Sequence, residues 1–230
     1  MEESQIMIID AISYQPDMEG LMRQLHIRPG SRDASDLAEL AHQAQTVARP
    51  KVMVTAEKIA QRGKNYVEIA GHTFTSRVLA VNLKNADEVY GYVATCGIEL
   101  EAWANTLDDM LAMYWGEAIR EAAVGTALKA LDDALSRLHP SIHLSTMHPG
   151  SLADWPLAEQ RPLFDLLGNV KGAIGVELTD SLLMVPTKSV SGITFPVTED
   201  YHSCQLCERE GCPNRQAPYD PMLYIDKYQP

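Results

Sequence analysis

Basic residues are scarce in this chain. Lys and Arg together number 19 against 31 Asp and Glu, a formal net charge of -12, and no run of cations occurs. A duplex or phosphate-backbone binder needs a clustered cationic face, so nucleic acid is excluded as a partner. Long apolar runs are missing as well. No stretch approaches the ~18 apolar residues that span a bilayer. The opening Met1-Glu2-Glu3-Ser4 is acidic where a secretory signal is basic, so no membrane association and a cytoplasmic location are expected. Cysteine is sparse: there are four, three of them crowded into residues 204–212. That distribution cannot staple a fold of 230 residues, and with 46% hydrophobic content apolar burial must supply the core. Neither a Walker lysine loop nor a dinucleotide fingerprint is present, since Gly168, Gly172 and Gly175 have the wrong spacing. His148, Ser151 and Asp154 are the residue types of a hydrolase triad, but no G-x-S-x-G elbow frames the serine, and turn and cap roles account for them.

Periodicity organises what is there. Residues 1–15 read as a short strand or arm, and 35–49 as a helix that Ser35 can cap and Pro50 ends. Residues 51–58, 66–69, 78–83 and 88–95 read as strands of one antiparallel or mixed sheet. Helices follow at 98–106 and 109–138. The second carries a broad apolar stripe through Leu111, Ala118, Leu128 and Leu135, which predicts a buried central helix, and an i,i+4 pair of Asp133 with Arg137. A strand at 142–147 leads into the turn Pro149-Gly150-Ser151. Asp154-Trp155-Pro156 opens a helix to Leu167, and 173–178 and 184–197 read as extended. The division expected is 1–50 as an N-terminal arm and helices, 51–197 as the core, and 198–230 as an irregular tail.

The tail carries the strongest local signal. In Tyr201-His202-Ser203-Cys204-Gln205-Leu206-Cys207, followed by Gly211-Cys212, a C-x2-C pair lets two thiolates face one ion from a tight turn, and a third lies five residues on. Cys204, Cys207 and Cys212 are therefore metal-ligand candidates, with Cys96 or His202 as candidates for a fourth. Thiolate count alone does not choose between an iron–sulfur cluster and zinc. Cys212 is followed by Pro213, as the last cysteine of bacterial ferredoxin runs is. A thioredoxin-like role fits poorly, because Glu208 and Glu210 would raise a thiol pKa.

A wider pattern runs through Pro149-Gly150, Asp154-Trp155-Pro156, Ile174-Gly175-Val176-Glu177-Leu178-Thr179-Asp180-Ser181, Met184, Pro186 and Ser189-Val190-Ser191-Gly192, with Thr95-Cys96-Gly97 and Glu101 upstream. In order and spacing it resembles the activation domain of vitamin B12-dependent methionine synthase over roughly residues 65–197. The resemblance implies an α/β (α+β) fold, a curved domain whose central twisted, mostly antiparallel sheet is flanked by helices. It also implies a groove for S-adenosylmethionine and presentation of its methyl group to cobalamin carried by a partner, a corrinoid protein or cobalamin-dependent methyltransferase. The ligand residues so implied are His148, Pro149, Gly150 and Ser151 in the turn and Lys188, Ser189, Val190, Ser191 and Gly192 in the strand. Thr146 and Ser151 stand where the family commonly has Arg and Tyr. The expected function is a stand-alone reactivation factor acting in trans, with the cysteine tail as a route for the electron or an outside protein as its donor. The other reading is a non-catalytic binding module for a corrinoid protein or small ligand, with zinc folding its tail.

Overall fold

The computed structural model describes residues 5–140, 142–197, 201–212 and 215–229. In chain order the strands are β1 (Gln5–Ile9), β2 (Lys51–Arg62), β3 (Tyr66–Ile69), β4 (His72–Thr75), β5 (Glu88–Thr95), β6 (His143–Met147), β7 (Glu177–Leu178), β8 (Met184–Val185) and β9 (Ser189–Val197). The helices are α1 (Met18–Gln24), α2 (Arg32–Val47), α3 (Arg77–Asn82), α4 (Ile98–Ala104), α5 (Met110–Leu138), α6 (Gln160–Leu167) and α7 (Val170–Ile174). Among the described residues, seven strands join in one sheet of order β4-β3-β2-β5-β9-β6, with β1 paired to the first half of β2. Every pairing in it is antiparallel. The α/β fold with a central, mostly antiparallel sheet is thus the one found. β7 and β8 form a separate two-stranded ribbon.

Both faces of the sheet are covered, which is why β5 is buried almost end to end and reads as a continuous apolar run rather than an alternation. On one face Met53, Val93, Met147, Ile193 and Phe195 pack with Leu79 of α3, Leu163 and Leu167 of α6 and Ile174 of α7. On the other, Val52, Val54, Tyr90, Tyr92 and Ala94 meet Ala127, Leu131 and Leu135 of α5. Beyond the sheet's end, α2, α4 and the first half of α5 close a further cluster around Leu37, Ala41, Cys96, Leu100 and Ile119. The central helix expected at 109–138 is α5, capped by Asp109, whose carboxylate accepts from the N–H groups of Leu111 and Ala112.

Five local expectations need correction. Residues 78–83 are helical rather than extended: Ser76 caps α3 through the Leu79 N–H, and Asp154, far along the chain, accepts from the N–H of Val78 at 2.9 Å. Asp154 therefore caps a different helix from the one it precedes, and α6 is preceded instead by a 3-10 turn at Leu157–Glu159. Residues 170–174 form α7, with Asn169 at its start and left-handed Gly175 at its end, leaving only Glu177–Leu178 extended. Finally, α2 is capped by Ser31, not Ser35, and Asp133 pairs with Lys129, four residues before it.

The tail is held by the main core. Tyr201 and Tyr228 are buried in the cluster on the α6 face, Cys207 and Leu206 pack against it, and the Tyr228 hydroxyl donates to Asn82 Oδ1 at 2.8 Å. Arg77 ties the Tyr228 carbonyl at 2.9 Å.

Candidate functional site

The chain leaves β6 through His148-Pro149-Gly150-Ser151. Gly150 has φ +85°, a conformation that L side chains rarely adopt, and its N–H donates to the Trp155 carbonyl at 2.7 Å. Ser151 donates through both its N–H (3.1 Å) and its hydroxyl (2.7 Å) to the His148 carbonyl, and Trp155 is fully buried below. Ser151 and Asp154 are thus a turn residue and a helix cap, which removes the triad reading.

Beside this turn lies Gly192 of β9, opposite Tyr92 of β5. A Cβ on Gly192 would stand 2.8 Å from the Met147 carbonyl oxygen, 2.9 Å from His148 Nδ1 and 3.0 Å from the Tyr92 hydroxyl. Only glycine admits that approach, and it brings the imidazole of one strand end and the phenol of another over the same backbone. His148 Nδ1 donates to the Ser191 carbonyl at 3.0 Å, and the His148 and Tyr92 rings meet edge to face with centroids 6.3 Å apart. Burial pulls the His148 pKa down, against the opposing effect of the Ser191 bond, so the imidazole is neutral near pH 7. Burial likewise pushes the Tyr92 phenol up, and it stays protonated. Ser191 is buried and its hydroxyl accepts from Gln160 Nε2 at 3.2 Å. Among the described residues neither Gln160 Oε1 nor Trp155 Nε1 has a hydrogen-bond partner, although both are buried. Ser191, Gln160 and Trp155 lie on the opposite face of the sheet from Tyr92, so the site at Gly192 is floored by two neutral hydrogen-bonding groups, the imidazole and the phenol.

One row further along the same sheet face, Tyr90, Thr194 and Thr146 stand side by side on β5, β9 and β6. The two threonine hydroxyls bond each other at 2.9 Å. The Tyr90 hydroxyl contacts both Glu88 and His139. Burial, reinforced by Glu88, raises the Tyr90 pKa, so the phenol donates to Glu88 and His139 must donate its Nε2–H to the phenol oxygen.

Not every expected ligand residue joins this site. Gly192, Ser191, His148, Pro149, Gly150 and Ser151 come together. Lys188 lies four residues back along the strand, about 13 Å away, and is engaged by Glu117 at 3.1 Å. It belongs to an ionic cluster in which Arg120 contacts both Glu101 and Glu117, and Glu101 accepts from the Thr187 N–H and hydroxyl. Ser189 bonds Thr95 and the Pro186 carbonyl, and Val190 packs among apolar side chains. In the turn that starts α4, Gly97 has φ +93° and the Arg49 carbonyl oxygen occupies the space that a Cβ would need. Tyr92 and Thr194, and Gln160 and Trp155 behind them on the opposite face, escaped sequence reasoning. Only Asp154-Trp155-Pro156 carried a motif signal, and register alone brings in the other three.

The cysteines are arranged differently from the expected ligand set. Cys204 lies within a 3-10 turn (Ser203–Leu206) that Cys207 ends, and both, like Cys212, are half-buried and form no disulfide. Cys96 is buried in the α2–α4–α5 cluster, on the other side of the sheet from the core against which Cys207 packs, so it cannot complete a site with the tail. Burial first, then the neighbouring Glu101, pushes its thiol up to about 12. His202 is exposed, its N–H donating to Gln205 Oε1. Among the described residues no three His, Cys, Asp or Glu side chains are gathered to hold a metal ion; Pro213 lies outside those residues. What closes the loop is Arg215, which donates to the carbonyls of Cys204 (2.9 Å), Cys207 (3.1 Å) and Ala217 (3.3 Å) and also to that of Arg209. The Gln216 N–H points at Cys204 Sγ, 3.4 Å away.

Residues 31–215 match the family described as vitamin B12 dependent methionine synthase, activation domain. The chain is also similar to a crystal structure described as the MetH reactivation domain bound to AdoHcy, with a TM-score of 0.63 and 17% identity over 87% of this chain and 81% of that one. At that identity the likeness shows the shared fold. No curated protein matches the chain. No helix among the described residues is long and apolar enough to cross a membrane.

Proposed function

Because the chain belongs to the activation-domain family of vitamin B12-dependent methionine synthase, we propose that it binds S-adenosylmethionine and serves to reactivate a corrinoid carried by another domain or protein. The observation that carries this reading is the close approach at Gly192, where the neutral His148 imidazole and the protonated Tyr92 phenol flank backbone that any side chain would obstruct. A neutral polar floor is suited to a sulfonium-bearing ligand, because a fixed cation there would repel it. The AdoHcy held by a structural relative supports the ligand class. When bound, the partner's corrinoid would supply the acceptor for the ligand's methyl group, and S-adenosylhomocysteine would be left with the electron pair of the broken C–S bond. Residues of this chain would orient the ligand, shield it from water and leave its methyl facing the partner.

Calorimetric titration with S-adenosylhomocysteine tests the first half. Saturable one-to-one binding that Gly150→Val weakens at least tenfold is expected, and absence of binding would sink the reading. For the second half, a Co(II) corrinoid protein is mixed with reductant and S-adenosylmethionine. Methyl-cobalt absorbance should then rise faster with the chain present than without it.

The tail supports a narrower reading, in which its thiols hold a cluster that delivers the electron. Three unpaired thiols on one loop and the Gln216 N–H facing Cys204 Sγ favour it. A bound ion would have to draw the sulfurs together from their present positions. Metal content after anaerobic purification decides: stoichiometric iron supports electron delivery and zinc a folding role, while neither metal removes both.

A further inference from the structure

His148 is held in one tautomer by the strand beside it. Its Nδ1 lies 3.0 Å from the Ser191 carbonyl oxygen, which can only accept, so in the neutral ring Nδ1 carries the proton and Nε2 is a bare lone pair. The Tyr92 hydroxyl stands 3.5 Å from that same protonated nitrogen and makes no claim on Nε2. Among the described residues Nε2 has no partner, and it is not one of the buried polar atoms left without one. The residue itself is only half-buried. The lone pair therefore reaches solvent beside Gly192, where Nδ1 is 2.9 Å from the position of an added Cβ.

The surroundings of the ring supply nothing to balance a positive charge. β5 contributes the Tyr92 phenol, β9 contributes Ser191 and Gly192, and α5 packs on the Tyr92 side with Ala127, Leu131 and Leu135. Over the turn, Leu157 covers Gly150. The next row on the same face, about 7 Å along extended strands, holds Tyr90 with Glu88 and His139 at its hydroxyl. Burial and the Ser191 bond are the effects that set the His148 pKa, with no neighbouring charge among them. A proton gained at Nε2 would thus be an uncompensated cation.

We infer that His148 is the residue by which the site tells the methyl donor from its demethylated product: the neutral ring admits S-adenosylmethionine, whereas the ring protonated at Nε2 repels its sulfonium and still accepts S-adenosylhomocysteine, whose sulfur is uncharged. This rests on the S-adenosylmethionine reading above and adds to it the group that senses the ligand's charge. The sulfur joins the nucleoside half of the ligand to the amino-acid half. Whichever half lies on Gly192, the sulfur stays within about one Debye length, ~8 Å, of the imidazole. At an effective dielectric constant between about 80 and 20, like charges roughly 7 Å apart change a binding constant about threefold to fiftyfold. Linkage requires the converse as well, so S-adenosylmethionine must make His148 harder to protonate than S-adenosylhomocysteine does.

Nitrogen-15 NMR of the imidazole tests this on the intact chain, with the His148 signals identified by their loss in His148→Gln. Near pH 7.5 the tautomer with a bare Nε2 is expected. On titration from pH 8 to 5.5, His148 should take up its proton at lower pH in the S-adenosylmethionine complex than in the S-adenosylhomocysteine complex, by an amount equivalent to at least threefold in affinity. Calorimetry should show the same coupling. Wild-type preference for S-adenosylmethionine over S-adenosylhomocysteine should fall as the pH drops, and in His148→Gln it should stay constant. His139→Gln should keep the wild-type response, which separates His148 from the histidine one row away. Equal protonation in the two complexes, a wild-type preference that is flat with pH, or a response that persists in His148→Gln overturns the assignment and leaves the groove reading standing. Wild-type chain that binds neither compound overturns both.

Discussion

The turn at Gly150 and Gly192 and the loop carrying the tail cysteines are the two regions where chemistry-bearing residues concentrate, and they are built on opposite principles. The first is made of backbone. Gly192 lies within β9, paired with Tyr92 of β5 and one residue past the end of the β6 pairing, and its neighbours are a carbonyl, an imidazole and a phenol that the sheet register holds in place. The second hangs on one side chain: Arg215 spans carbonyls from Cys204 to Ala217, and Gly211, at φ +62°, has open space around it. Geometry set by a ladder is rigid before any ligand arrives, whereas a loop tied by a guanidinium can reorganise when something better occupies its centre. That difference favours the turn as a pre-formed small-molecule site and the tail as a segment whose final arrangement depends on what it binds.

Breaking the ladder side should have the largest effect. Gly192→Val places a branched side chain against the Met147 carbonyl and His148, and neither can retreat without disturbing the sheet. A loss of about 3 kcal/mol is expected, seen as a fall in the thermal unfolding midpoint of roughly 6–12 °C for a chain of this size. A midpoint within two degrees or so of wild type would show that the approach is looser than described.

Breaking the loop side should be milder and local. Arg215→Ala removes charge-assisted bonds from one loop, about 1.5 kcal/mol, and leaves the sheet untouched. Amide hydrogen exchange should accelerate across 204–217 while β5 and β9 keep their protection. Acceleration in the strands as well would mean that the tail and sheet unfold as one unit.

The smallest effect is a pH dependence that sharpens the contrast. His148 has a folded-state pKa below its unfolded value of about 6.5, so the unfolded chain binds the proton more readily. Its contribution to stability is therefore complete above about pH 6.5 and is lost as pH falls below it, by no more than ~1.4 kcal/mol per pH unit for one proton. His148→Gln should flatten the stability profile between about pH 7 and 5, and equal slopes in the two proteins would place the titrating group elsewhere.

Much of the architecture is legible in residue order. β5 and α5 are long and strongly patterned, and the breaks at Pro50, Pro140 and Gly168 fall where local chemistry demands them. The misread segments are short ones whose conformation is decided at a distance. Val78-Leu79-Ala80-Val81 has the composition of a strand. It becomes helical because the local Ser76 cap is joined by Asp154 from across the fold, and nothing near residue 78 announces the second. Residues 170–174 are too few to show a helical period, so the Asn169 and Gly175 caps decide them. At the site, Pro149-Gly150 is legible as a tight turn because such turns need particular residues, whereas Ser191-Gly192 is marked only by the family resemblance. Lys188 was adjacent in sequence and is remote in space, because an extended strand carries each residue away from the last.

By itself, then, the sequence determined the acidic surface, the alternation of strands and helices, the glycine-bearing turn and the family pattern. All of these depend on composition or on residues within a few positions of each other. The tertiary structure alone decided that Tyr92 and His148 meet over Gly192, that Thr146 spends its hydroxyl on Thr194, that Cys96 lies across the sheet from the tail, and that Tyr201 and Tyr228 seat the tail on the core. The physical reason is the same for each. Strand register and helix docking are set by burying whole apolar faces at once, and polar side chains acquire their partners from that collective choice.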